Sequence, residues 1–193
     1  MTDARGAAGT QPSPAVTELD DLTLVYVSPS DAPVLSQLLH QRGHRYLLDL
    51  PDDGAALEGL IASLRAQTWG TALAVLRGDE CIGMAAVGLA NTKSLSANVT
   101  AMFTDPATSA VPLAMCLRQV FWSHPIRRLY AHVPLLDLTR EYVTLFTDTG
   151  FVEEGVLERH ALVAGQAFDV AVVGLLRPEL EAWFAEHEPR LAL

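Results

Sequence analysis

Cysteine, lysine and long apolar runs are all scarce in this chain of 193 residues. The two cysteines, Cys81 and Cys116, are far apart and form no Cys-x-x-Cys spacing. That argues against a disulfide framework or a thiolate metal site and favours buried free thiols. Lys93 is the single lysine, and 13 Lys+Arg face 23 Asp+Glu for a net charge of −10. A protein built to hold a nucleic-acid backbone carries the opposite balance, so that class of partner is excluded. The longest apolar stretches, such as Val170–Leu176, fall far short of the ~18 residues of a spanning helix, so no membrane segment is expected. Residues 1–14 lack the apolar core of a signal peptide and are rich in Gly, Pro and small side chains. They predict a disordered tail over residues 1–20, one domain over 21–193, and a cytoplasmic protein.

What is present is apolar side chain in the right periods. Half of the residues are hydrophobic (50%), enough for a sizeable core. Leu22–Val27 is β-favouring on both faces, as a strand covered on two sides would be. Ser28-Pro29-Ser30-Asp31 then opens a helix carrying Val34, Leu35, Leu38 and Leu39. A second helix follows Asp52 or Asp53, with Leu57, Leu60, Ile61 and Leu64 at helical spacing. The period then switches to two. Thr71–Leu76 and Cys81–Leu89 around Arg77-Gly78-Asp79-Glu80 predict a hairpin, and Ala97–Thr104 a further strand. Val111–Trp122 reads as a helix, Leu129–Val133 as a strand, and Asp137 to about Thr149 as a helix stopped by Gly150. Strands around Phe151–Leu162 and Phe168–Leu176 and a helix from Pro178 complete the chain. Three consecutive strands after a helical pair exclude simple βαβ winding. The fold class is therefore α/β, with a mixed, mostly antiparallel central sheet flanked by helices.

This order of elements, together with two C-terminal motifs, resembles the GNAT superfamily of N-acetyltransferases. The first motif is Tyr142 to Arg159, a helix ending in Gly150-Phe151 and a strand reading Gly-Phe-x-x-Glu-Gly-x-Leu-x-Arg. The second is Gly165 to Glu179, a short Gly turn and Asp169 before an apolar strand. The element order matches from about Leu22 to Arg177 and the motifs from about Arg127 onward; the branch it is most similar to holds the ribosomal-protein N-terminal acetyltransferases and small-amine acetyltransferases. The resemblance implies transfer of an acetyl or short acyl group from acetyl-CoA, or another acyl-CoA, to a primary amine of a small molecule or peptide.

It also implies a set of site residues. Backbone N–H groups near Met102, Phe103 and Thr104 would polarise the thioester carbonyl, and Thr108, Ser109 and Ala110 would meet the cofactor phosphates at a helix N-terminus. This loop, Thr104 to Pro112, has neither the glycines nor the basic residue of the family's phosphate loop. Thr139 falls near a family asparagine, with Asp137 as the alternative. The family's acid position is Phe146, which has no proton to give, so Tyr142 one turn earlier is the candidate acid, or else a packing tyrosine. His132 is the best-placed base, or else a hydrogen-bonded core histidine; Glu158 and His160 are weaker candidates. Arg42, His44 and Tyr46 would contact the substrate. His40 and His44 flank Gly43 with no third ligand in a fixed spacing, so no metal is expected. Arg118, Arg127, Arg128 and Arg140 could meet phosphate or pair with surface acids. Trp183 and Phe184 form a stripe for packing within the chain or against a second subunit, as in a homodimer. Two other readings stand beside the enzyme: a protein of the same fold that has lost CoA chemistry and serves as a binding or assembly module, and an acyltransferase fed by a carrier protein.

Overall fold

The computed structural model describes residues 15–19, 21–39 and 54–188. Its elements are β1 (Ala15–Leu19), β2 (Leu22–Tyr26), α1 (Ala32–Leu39), α2 (Gly54–Ala66), β3 (Thr71–Arg77), β4 (Glu80–Asn91), β5 (Ser96–Phe103), α3 (Ala110–Ser123), β6 (Arg128–Pro134), α4 (Arg140–Asp148), β7 (Val152–Val163), β8 (Gln166–Leu176) and α5 (Arg177–His187). The eight strands form one sheet in the order β1-β2-β3-β4-β5-β6-β8-β7. Every neighbouring pair is antiparallel except β5 and β6. This is the mixed, mostly antiparallel sheet with flanking helices that the element order predicts. No described helix is long and apolar enough to cross a membrane.

Strand period decides which half of the sheet is covered on both faces. Along β3 to β5 alternate residues enter two cores. Leu73, Val75, Ala85, Val87, Ala101 and Phe103 face α3, α4 and α5. Ala72, Ala74, Met84, Ala86 and Met102 face α1 and α2, against Leu35, Leu38, Leu57 and Ile61. Leu57 and Ile61, four apart on the predicted stripe, are fully buried, each worth roughly 1.5–3 kcal/mol. Among the described residues, the β6–β8–β7 half is covered on one face only. Leu129, Ala131 and Val133 point into the first core, whereas Tyr130 is half-buried and His132 exposed on the open face.

The helix-to-strand junction at Gly150 follows from local chemistry. Gly150 takes φ +94; its N–H bonds the Thr147 carbonyl and the Phe151 N–H reaches the Phe146 carbonyl. This pair of bonds closes the last turn of α4, and the Phe146 and Phe151 rings meet edge to face at 4.8 Å. Trp183 and Phe184 turn inward rather than outward, and the Trp183 indole N–H bonds the Asp148 carbonyl at 2.7 Å.

Three expectations are corrected. Ala15–Leu19, placed by the sequence reading in a tail over 1–20, is instead a strand paired antiparallel with β2. The cap of α4 is Thr139 rather than Asp137: the helix begins at Arg140, and the Thr139 hydroxyl turns onto the Pro134 carbonyl. Cys116 is buried, its thiol pushed up by that burial, whereas Cys81 is only partly covered; both are free.

Candidate functional site

Among the described residues, β5 and β6 form the one parallel pair of the sheet and its shortest ladder relative to its strands. β5 and β6 pair at Ser96–Arg128, Ala97–Leu129 and Asn98–Tyr130, and there the register ends. Beyond it β5 stays with β4 up to Phe103, and β6 stays with β8 up to Pro134. Each strand is held by its antiparallel neighbour, so the pair opens into a split. The Asn98 side-chain amide marks the branch point, donating to the Tyr130 carbonyl at 3.3 Å.

Register shows which backbone groups face the split. Thr104 donates its N–H to the Ile82 carbonyl at 2.9 Å, so 82 and 104 form a hydrogen-bonded pair. Gly83 and Phe103, next in register, form a non-hydrogen-bonded pair. The N–H and C=O of Phe103 therefore point away from β4. Both are met by one side chain from α4: the Tyr142 hydroxyl accepts from the Phe103 N–H at 3.0 Å and donates to its carbonyl at 3.2 Å. Tyr142 is fully buried.

The other expected residues divide into groups. Met102 and Phe103 are buried on opposite faces of β5, and the Thr104 hydroxyl also bonds the Ile82 carbonyl. Thr108, Ser109 and Ala110 lie at the N-terminus of α3, behind a 3-10 turn at Pro106–Thr108. There the Thr108 hydroxyl bonds the Asp105 carboxylate at 3.0 Å and the Ser109 hydroxyl bonds the Asp105 carbonyl at 2.6 Å. Both hydroxyls, and a carboxylate, are thus committed to the turn. Pro112 removes one further N–H from the first turn of the helix. Thr139 is buried, tying the start of α4 to the end of β6 through the Pro134 carbonyl.

His132 stands on the splayed part of β6, on the open face, between Tyr130 (ring centroids 5.6 Å apart) and His160 (6.5 Å). Desolvation first, and the like charge of His160 second, hold its imidazole below the ordinary histidine value. This favours the neutral imidazole. Glu158 is exposed on β7. Arg128 pairs with Glu154 and stands 5.6 Å over the Tyr130 ring; Arg118 stands 5.5 Å over Trp122. Arg127 and Arg140 are exposed. Arg42, His44 and Tyr46 lie outside the described residues. The structure thus brings Phe103 and Tyr142 into contact, places His132 on the neighbouring strand, and keeps the α3 N-terminus as a separate hydroxyl-and-carboxylate turn. Asn98, a polar side chain of its strand in the sequence, gains its role at the branch from the Tyr130 carbonyl. Asp105, whose carboxylate opposes phosphate, is tied to the turn through the spacing Asp105-x-x-Thr108-Ser109.

No family model and no curated protein matches the sequence. Solved structures do match the fold. Ribosomal-protein-S5-alanine acetyltransferase from Vibrio fischeri superposes with a TM-score of 0.66 at 12% identity, over 83% of this chain and 95% of that one. Spermidine N-acetyltransferase from Vibrio cholerae, in complex with CoA and spermine, gives 0.70 at 20% identity over 83% and 98%. A probable acetyltransferase gives 0.69 at 15% identity over 86% and 98%. The chain has the fold of the GNAT N-acetyltransferases.

Proposed function

We propose that this protein is a cytoplasmic N-acyltransferase that moves an acetyl or short acyl group from an acyl-CoA to a primary amine of a small molecule or peptide. The observation that carries the reading is the split between β5 and β6, with the backbone N–H of Phe103 facing it. A strand edge that presents both an N–H and a C=O into a split is suited to an amide-bearing acyl donor laid along it while the amine attacks the thioester. In that step the amine nitrogen bonds the acyl carbon, the carbon–sulfur bond breaks, and the proton lost by the amine passes to the neutral His132 imidazole, directly or through water. The departing thiolate takes a proton from the Tyr142 hydroxyl, once that hydroxyl has left Phe103, or from water. The Asn98, Thr100, Tyr130 and His132 side of the sheet, uncovered by α1 and α2, is the side from which the amine approaches.

A second reading has its own observation. The turn at Asp105 sets a carboxylate before α3 and engages both nearby hydroxyls, which opposes a diphosphate there. A pantetheine arm carried on a protein brings no diphosphate to that place, so a carrier-linked acyl donor fits the turn better than free CoA.

Thermal unfolding with acetyl-CoA, longer acyl-CoAs and free CoA tests the main reading. Ligand at 100 times its dissociation constant adds about 2.7 kcal/mol, which raises Tm by roughly 5–10 °C in a chain of this size. Stabilisation followed by acetylation of a model amine is the expected result. No shift with any of them, but a shift with an acylated carrier protein, selects the second reading; no shift with any donor leaves a non-catalytic binding module.

A further inference from the structure

The polar edge of β5 inside the split is closed by a side chain. Phe103 offers one N–H and one C=O there, and a single hydroxyl, that of Tyr142, pairs with both, at 3.0 Å and 3.2 Å. Buried backbone groups must be paired, and the two strands no longer pair with each other at this depth. An amide laid along the same edge would make the same two bonds: its carbonyl would accept from the Phe103 N–H, and its N–H would donate to the Phe103 carbonyl. This is how an extended chain adds to a strand edge. The arm of a pantetheine-bearing donor carries two such secondary amides.

Resting on the acyl-donor reading above, we infer that Tyr142 governs donor entry: its hydroxyl occupies the Phe103 amide-binding position, and a pantetheine arm enters the split by displacing it. Hydroxyl and amide exchange like for like on Phe103, so the hydrogen bonds nearly cancel. The side chain nevertheless sits in the core with Phe146 and Leu145 on the same helix, fully buried. Moving it costs packing, and the donor's apparent affinity falls by the fraction of molecules with the split open. Two consequences follow for one residue. Removing the hydroxyl should tighten the donor, and it should slow the release of the thiolate that the hydroxyl protonates.

The test is calorimetric binding to the full chain, with acetyl-CoA, acetyl-pantetheine and the adenosine bisphosphate half of CoA as probes. Tyr142→Phe keeps the ring and the core volume, and Tyr142→Ala removes both ring and hydroxyl. If one open molecule in ten binds in the wild type, both variants bind the two pantetheine-bearing probes about tenfold more tightly, with the nucleotide half unchanged. Equal or weaker binding of those probes by folded variants, while the wild type binds them, overturns the inference and leaves the acyl-donor reading in place. A gain of equal size for the nucleotide half also overturns it, since that is general loosening. No binding of acetyl-CoA or acetyl-pantetheine by the wild type or either folded variant overturns the acyl-donor reading, and this inference with it.

Discussion

Replacing Gly83 by alanine should destabilise this protein through one ring. Gly83 lies opposite Phe103 in a non-hydrogen-bonded pair, where strands approach most closely and side chains stand nearest. A Cβ on Gly83 would fall 1.9 Å from Phe103 Cδ1, 2.4 Å from Cε1 and 2.6 Å from Cγ. The ring is fully buried in the core above α3 and α4, so it has no solvent to swing into. Either the ring leaves its rotamer or β4 and β5 move apart, and overpacking of this kind costs about 1–3 kcal/mol. Each kcal/mol lowers Tm by roughly 2–4 °C in a chain of this size. Gly59 supplies the control. It lies in α2, and its Cβ would meet nothing within 4 Å. Gly59→Ala should therefore stabilise by roughly 0.5–1 kcal/mol through helix propensity alone. Chemical denaturation of the two variants side by side should give opposite signs. A Gly83→Ala change within about 0.5 kcal/mol of wild type would refute the reasoning, because that is the range of an unremarkable surface substitution.

Gly150→Ala should cost about 1–2 kcal/mol, since φ +94 disfavours any residue with a Cβ whatever room surrounds it; an unchanged denaturation midpoint would contradict this. The pH dependence of acyl transfer should rise through a midpoint below the ordinary histidine value of about 6.5, set by neutral His132. His160→Ala, which removes the like charge, should move that midpoint upward, and a proton NMR titration of the His132 ring reads the same shift directly. For stability the sign is the same. A folded-state value below the unfolded one means that the unfolded chain binds the proton first, so this small contribution is present above about pH 6.5 and fades as pH falls below it.

Much of the architecture is legible in the sequence. The hairpin around Gly78, the α2 stripe at Leu57 and Ile61, and the stop at Gly150-Phe151 each depend on a few consecutive residues. The N-terminal strand escaped because Ala15–Leu19 adjoins a stretch rich in Gly, Pro and small residues, and its pairing with β2 depends on the partner rather than on its own five side chains. The onset of α4 depends on a distant partner too: the Thr139 hydroxyl is held by a carbonyl at the end of β6.

The site itself shows the same division. The chain alone determined that Tyr142 sits one turn from Phe146, that His132 lies on a strand, and that the loop before α3 has no glycine. Tertiary structure alone decided which groups engage one another. Tyr142 and Phe103 are 39 positions apart and meet only because the parallel pair opens after Tyr130. The physical reason is range. Periodicity, capping and turn chemistry are sums over neighbours a few residues apart along the chain, whereas every buried donor and acceptor must find a partner wherever packing brings one within 3 Å or so. That requirement is met only by the assembled fold, and here it closes the split with a tyrosine.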